Sequence, residues 1–278
     1  MDYIELSCKI DPFTQIFADL LMAELGEIGY DSFTQDLGDI KAYITENLFD
    51  FEAARKLDII TSKQYGTVAL SHQKIVTQNW NALWESNFDP VIAADNCIVR
   101  APFHTLDKEY TYDIVIEPKM SFGTGHHQTT QLILEKLLTI DIVGKTVADC
   151  GCGTGVLGIL ASLRGAESVF AFDNDDWAYQ NTVENTERNN IHNMETLCGT
   201  LELLKGQSFD IVIANINRNI LIEGMQYLSA AVNPGGTIIF SGIFAEDVEI
   251  MTRACAEFGL KYVESQSKDK WARAIYTK

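Results

Sequence analysis

Basic residues are the first shortage. Lysine and arginine number 21 against 39 aspartates and glutamates, for a formal charge of -18. A sequence-independent grip on DNA or RNA depends on lysine and arginine neutralising phosphates, so this balance argues against one. The acidic surplus suits plain solubility or a basic protein partner. Long apolar runs are also missing, and none approaches the ~20 residues of a membrane span. The start, Met1-Asp2-Tyr3-Ile4-Glu5, lacks the basic stretch and apolar core of a secretory signal. The six cysteines follow no framework of spacings, as in a cytoplasmic protein with reduced thiols. Metal ligands do not gather either. His126-His127 has no His or Cys at i+3 or i+4 to complete a site, and Cys150 and Cys152 have no second cysteine pair. No metal is expected, and the two cysteines read as small residues fitted around glycines.

What is present divides in two. A chain of 278 residues has room for a large domain and a small one. In residues 1–75, Ile4, Leu6, Cys8 and Ile10 alternate along a strand. Pro12 opens a helix with Phe13, Ile16, Phe17, Leu20, Leu21 and Leu25 as its apolar stripe, closed by Gly26 and Gly29. Strands near 31–37 and 39–46, a helix over 49–60 and a strand near 66–72 complete a β-α-β-β-α-β order, the ferredoxin-like motif. It holds no catalytic cluster and reads as a recognition or docking domain. Residues 76–95 read as a linker with a short helix, where Trp80 and Trp84 pack one turn apart and Pro90 ends it.

Residues 96–278 alternate strands and helices, the sign of a parallel α/β sheet. Their centre is Val147-Ala148-Asp149-Cys150-Gly151-Cys152-Gly153-Thr154-Gly155: a buried strand, a tight turn, then a helix start. Such a turn lets a ligand lie on bare backbone at the end of the strand. Two readings overlap. Gly153-Thr154-Gly155-Val156-Leu157-Gly158 matches the dinucleotide fingerprint, which would suit an NAD-dependent dehydrogenase. Starting two residues earlier, an acid and G-x-G-x-G match the first motif of methyltransferases that bind S-adenosylmethionine. Asp173, closing the next apolar run, stands where a ribose-binding acid belongs in either reading.

Upstream, Phe122-Gly123-Thr124-Gly125-His126-His127-Gln128-Thr129-Thr130 precedes an apolar helical run. It reads as a glycine-hinged flap over a cofactor, with Thr130 touching it; the plainer reading of Thr130 is helix capping. Downstream, Phe209 to Asn215 is a strand ending in a polar residue at the crevice. A helix over 217–232, the turn Asn233-Pro234-Gly235-Gly236, a strand over 237–241, a helix over 245–258 and a terminal hairpin near 260–267 and 271–277 follow.

Taken together, D-C-G-C-G-T-G, the acid after the second strand, F-D-I-V-I-A-N-I, N-P-G-G and the terminal hairpin resemble a class I S-adenosylmethionine-dependent methyltransferase. With the F-G-T-G-H-H-Q-T-T loop, Asn215-Ile216 and the N-terminal α/β domain, the chain resembles the bacterial methyltransferases that modify the eleventh protein of the large ribosomal subunit. The resemblance is strongest from about 118 to 242. It implies a Rossmann-like domain behind the ferredoxin-like one. It also implies methylation of lysine side chains and the N-terminal amine, up to the trimethyl state, by a monomer meeting its ribosomal protein free in solution. Thr130, Gly151, Asp173 and Asn215 fall where that family contacts the cofactor, and Gly153 belongs to the same turn. Phe122, Gly123, Thr124, Gly125 and His127 occupy the family's loop over the site, with His126 at a variable position. Where many amino-group methyltransferases carry N-P-P-Y, this chain has Asn215-Ile216-Asn217-Arg218 and so lacks the aromatic member.

The chemistry then needs a neutral amine attacking a methyl on a sulfonium. Free lysine has a pKa of ~10.4, but burial beside a positive charge lowers it. The site therefore needs acceptors that aim the lone pair more than it needs a strong base. The Asn215 side-chain oxygen and the Ile216 carbonyl are the expected catalytic pair. Two rivals remain: the NAD-dependent dehydrogenase, and a methyltransferase acting on nucleic-acid amino groups, which the acidic balance disfavours.

Overall fold

The structure is a computed structural model that describes residues 2–36, 38–75, 88–119 and 121–278. The chain forms two compact units, Met1–Asn87 and Phe88–Lys278. The boundary falls inside the segment expected as a linker over 76–95. The helix expected around Trp80 and Trp84 lies outside the described residues. No helix among the described residues is long and apolar enough to cross a membrane.

In the first unit, β1 (Tyr3–Asp11), α1 (Gln15–Glu27), β2 (Ser32–Asp36), β3 (Asp39–Thr45), α2 (Phe51–Arg55), α3 (Asp58–Thr61) and β4 (Thr67–Ile75) follow in turn. The antiparallel sheet order β2-β3-β1-β4 is that of the expected ferredoxin-like motif. Ile4, Leu6, Cys8 and Ile10 are buried with Phe17, Leu21 and Leu25 of α1, as the alternation required. The helix expected over 49–60 is broken in two at Leu57, whose backbone is extended. Each piece has its own cap. Asp50 accepts the Glu52 and Ala53 N–H groups, and Glu24 reaches from α1 to accept that of Ile59. Both satisfy helix-end donors that would otherwise be left without partners.

The second unit begins with a small sheet of β5 (Val91–Ala93), β6 (Cys97–Arg100) and β7 (Tyr112–Val115). β5 thus occupies part of the expected linker. There follow α4 (Gln128–Leu137), β8 (Thr146–Cys150), α5 (Val156–Leu163), β9 (Ser168–Asp173), α6 (Asp176–Arg188), β10 (Met194–Cys198), β11 (Phe209–Asn215), α7 (Arg218–Glu223), α8 (Met225–Ala230), β12 (Val232–Phe244), α9 (Val248–Glu257), β13 (Lys261–Lys268) and β14 (Trp271–Thr277). The large sheet runs β10-β9-β8-β11-β12-β14-β13. Its first five strands pair in parallel, and β14 lies antiparallel between β12 and β13. Both faces are covered. Val147, Ile213 and Ile239 pack with Ile133 and Ile159 on one side, while Ala148, Val212 and Phe240 pack with Leu221 and Met251 on the other. This is why these strands read as continuous apolar runs.

Two expectations shift. The helix over 217–232 is two short helices meeting at Gly224, where a Cβ would overlap Leu201 of the facing segment. Asn233-Pro234-Gly235-Gly236 is not a free turn but an irregular stretch inside β12, where the register with β11 slips. Gly236 and Gly235 stay tied there to Lys278. The crossovers from β8 and β11 leave in opposite directions, so a crevice opens at the carboxyl ends of these neighbours, where ligands bind in such sheets.

Candidate active site

The crevice is built from the glycine turn outward. The Gly151 and Cys152 N–H groups donate to the Phe172 carbonyl at 2.8 and 3.0 Å, which ties the turn to the end of β9. The Gly153 N–H donates to Asp173 Oδ2 at 3.0 Å. Asp173 Oδ1 accepts the Asp175 N–H, so the acid expected to hold a ribose is itself oriented by backbone on both oxygens. Gly153 has φ +59°, and a Cβ there would overlap the Phe122 carbonyl oxygen.

That closeness shows where the expected flap lies. The Phe122 carbonyl accepts the Thr154 N–H at 2.9 Å, and the Gly123 carbonyl accepts the Thr154 hydroxyl at 2.7 Å. Gly125 rests on Val91 and Val99 of the small sheet. Phe122 and Gly123 therefore stand against the glycine turn, although about thirty positions separate them from it in sequence. The cap of α4 is His127, whose Nδ1 accepts the Thr129 N–H. An acceptor nitrogen carries no proton, and burial lowers the His127 pKa in the same sense. Thr129 and Thr130 occupy the first turn instead. Thr130 is fully buried, and its hydroxyl accepts from Asn215 Nδ2 at 3.5 Å.

Two acceptors at this end of the sheet are enclosed and have no partner among the described residues: Asn215 Oδ1 and Asp149 Oδ1. The other Asp149 oxygen accepts the Gly158 N–H at 3.0 Å. Burial pushes the Asp149 pKa up to about 7, the Gly158 N–H opposes this, and the charge of Asp173 adds to it. A cavity of about 270 Å³ opens at the same end of the sheet, lined by Gly151, Phe172, Asn174, Gly199, Thr200 and Ile216 among others.

These features discriminate between ligands. A pyrophosphate needs free backbone donors. Here the Gly153 N–H is already given to a carboxylate, and the side-chain groups without a partner at this end of the sheet, among the described residues, are acceptors. A ligand with a sulfonium, an ammonium and a ribose suits acceptors and an oriented acid, so the residues present fit S-adenosylmethionine.

Several residues escaped the sequence reading. A row of rings runs from Phe122 to His127 (5.1 Å between centroids), to Trp271 (4.7 Å) and to Phe244 (4.5 Å). Phe244 and Trp271 meet because they are register partners on β12 and β14, a pairing with no local signature. The buried side of α6 is Ala178, Asn181, Thr182, Asn185 and Thr186. Asn185 and Asn189 bond the backbone of Glu117, Val115 and Thr154. Their four-residue spacing, shared with Asn181, was visible in the sequence. His126 bonds the Asp89 carbonyl and Thr124. Among the described residues no three His, Cys, Asp or Glu side chains come together as a metal site.

The family described as "Ribosomal protein L11 methyltransferase (PrmA)" matches residues 20–278. A ribosomal protein L11 methyltransferase of Phocaeicola vulgatus is 39% identical over 274 residues, 98% of each chain. One from Porphyromonas gingivalis is 41% identical over 279 residues, 98% of this chain and 95% of the other. The crystal structure of a ribosomal protein L11 methylase from Lactobacillus delbrueckii subsp. bulgaricus superposes with a TM-score of 0.64 at 26% identity, covering 69% of this chain and 99% of the other. With the strand order, the glycine turn and the orphaned acceptors, these matches lead to one conclusion: the chain belongs to the ribosomal protein L11 methyltransferase (PrmA) family and is an S-adenosylmethionine-dependent class I methyltransferase.

Proposed function

We propose that this protein methylates lysine side chains and the N-terminal amine of ribosomal protein L11, up to the trimethyl state, acting in the cytoplasm as a monomer on the free protein. The observation that carries the reading is Asn215 Oδ1, a buried acceptor without a partner, one residue before the Ile216 carbonyl at the crevice end of β11. When bound, S-adenosylmethionine supplies a methyl group on a positively charged sulfur. Thr130, Gly151, Gly153, Asp173 and Asn215, with Phe122, Gly123, Thr124, Gly125 and His127 of the loop, would hold it. Asn215 Oδ1 and the Ile216 carbonyl take the two N–H groups of a neutral amine, which leaves its lone pair to point away from them. Alignment of this kind can supply up to ~7–11 kcal/mol of a barrier. The amine reaches the site uncharged because burial disfavours its ammonium form. The ammonium proton is lost to water before the amine enters. After the first and second transfers the methylated ammonium gives its proton to water in the same way before the next, so no dedicated base is needed.

Residues 1–75 serve as the recognition domain, 76–95 as the linker and 96–278 as the methyltransferase domain. The charge of -18 suits a basic ribosomal protein and disfavours a direct grip on nucleic acid. The test is incubation with methyl-labelled S-adenosylmethionine and purified L11, followed by mass spectrometry of the peptides. Successive methyl additions on L11 amines are expected. Label appearing on RNA while L11 stays unmodified would reject the reading.

A further inference from the structure

Arg218 stands where related amino-group enzymes place the aromatic residue of N-P-P-Y. It is the first residue of α7, and its side chain crosses to the far end of β12. Arg218 Nη1 donates to Asp247 Oδ1 at 2.6 Å. Asp247 is only 4% exposed, and its second oxygen accepts the Phe244 N–H at 3.0 Å. The Phe244 ring in turn packs on Trp271, and Trp271 on His127. The start of the same segment presses on Ile216. Gly242 has φ +78°, and a Cβ there would stand 2.5 Å from the Ile216 carbonyl oxygen. Residues 242–247 thus touch the amine-aiming peptide at one end and the ring row in the middle. Arg218 ties their other end back to the helix that follows Ile216.

We propose that Arg218 and Asp247 are a positioning pair that sets the Ile216 carbonyl and the Phe244 ring for the later methyl transfers. The proposal rests on the amine-methyltransferase reading above. A neutral primary amine has two N–H groups to give to Asn215 Oδ1 and Ile216 O. A monomethyl amine has one, and a dimethyl amine has none. As methyl groups accumulate, hydrogen bonds can no longer aim the lone pair and the surrounding surface must do so. A pair that fixes that surface matters least for the first transfer and most for the third. It also explains how the chain manages without an aromatic residue at 218: the ring comes from β12, and the arginine holds it there.

Full-length Arg218→Met and Arg218→Lys, compared with the wild type on L11, test this. Arg218 is partly exposed, so the variants should fold. In Arg218→Met the first methylation should slow by about threefold and trimethyl product should fall by about tenfold or more, with S-adenosylhomocysteine affinity within about twofold, since small misplacements weigh on alignment. Arg218→Lys should restore most of the trimethyl product. Phe244→Leu should give the same shift, and the double variant should be no worse than either single, as for residues acting through one contact. An unchanged mixture of methyl states, or a loss of cofactor affinity in step with turnover, overturns the proposal. Amide exchange gives a second readout that needs no substrate. Segment 242–247 should exchange faster in Arg218→Met while 147–155 does not, and equal exchange also overturns the proposal. A wild type inactive on L11 would reject the function proposed above, and the exchange comparison would still decide whether the pair fixes this segment.

Discussion

On the reading proposed above, the site has two halves of different construction. The cofactor half is local: Asp149, Gly151, Gly153 and Asp173 lie within twenty-five positions, and short backbone bonds join them. The amine half is assembled from four separated segments, with Asn215 from β11, His127 from the start of α4, Phe244 from β12 and Trp271 from β14. The first half is fixed by turn geometry and the second by sheet register. Damage to one should therefore leave a different signature from damage to the other.

The largest effect is expected at Gly153. A valine there would adopt a left-handed backbone, costing ~1–2 kcal/mol, and would push into the Phe122 carbonyl. Calorimetry should show S-adenosylhomocysteine affinity falling by about a thousandfold, equivalent to ~4 kcal/mol. Near-normal affinity would mean that the turn and loop are less tightly matched than their hydrogen bonds indicate. Next comes Asn215→Ala. Loss of one aiming acceptor should lower kcat by about a hundredfold, the lower range for a single stabilising group, and loss of its contact with the cofactor should weaken the same affinity by about tenfold, equivalent to ~1.4 kcal/mol, far less than at Gly153. If affinity collapsed along with kcat, the two halves would not be separable.

The effect with least bearing on catalysis is a pH dependence of stability at Asp149, within the cofactor half. Its carboxyl has a folded pKa of about 7 against ~3.9 unfolded. Between these values the folded state binds more protons than the unfolded one, so stability falls as pH rises from about 4 to about 7 and stays lowered above that. At ~1.4 kcal/mol per unit the loss reaches up to about 4 kcal/mol. Asp149→Asn should remove this slope. Its Tm should exceed that of the wild type at pH 8, and the two should converge as pH falls to about 4. Parallel Tm curves would show that Asp149 titrates normally in the fold.

The same contrast explains what could be read from the chain. Glycines with positive φ, an acid closing a strand and apolar runs buried on both faces are marks of local backbone need, so the turn, the sheet and Asp173 were legible. The flap over 122–127 was legible as a loop, but its seat on Thr154 was not, because that contact spans about thirty positions. Trp271 looked like any aromatic in an edge hairpin. Only the pairing Phe244↔Trp271 carries it to the crevice, and register of that kind is decided by the whole sheet. The inner side of α6 gave no apolar signal, because Asn185 and Asn189 satisfy loop backbone there.

Those asparagines set a limit on how the crevice can admit its ligands. Val115 and Glu117 are held from α6 by three side-chain bonds, and Arg188 adds an ion pair to Glu117. Any opening that swung the strand before the loop would have to break all of these at once. Any movement that admits ligands is thus left to residues 121–127, whose hydrogen-bonded ties to the fold beyond α4, among the described residues, are the two Thr154 bonds and the His126 bond to Asp89.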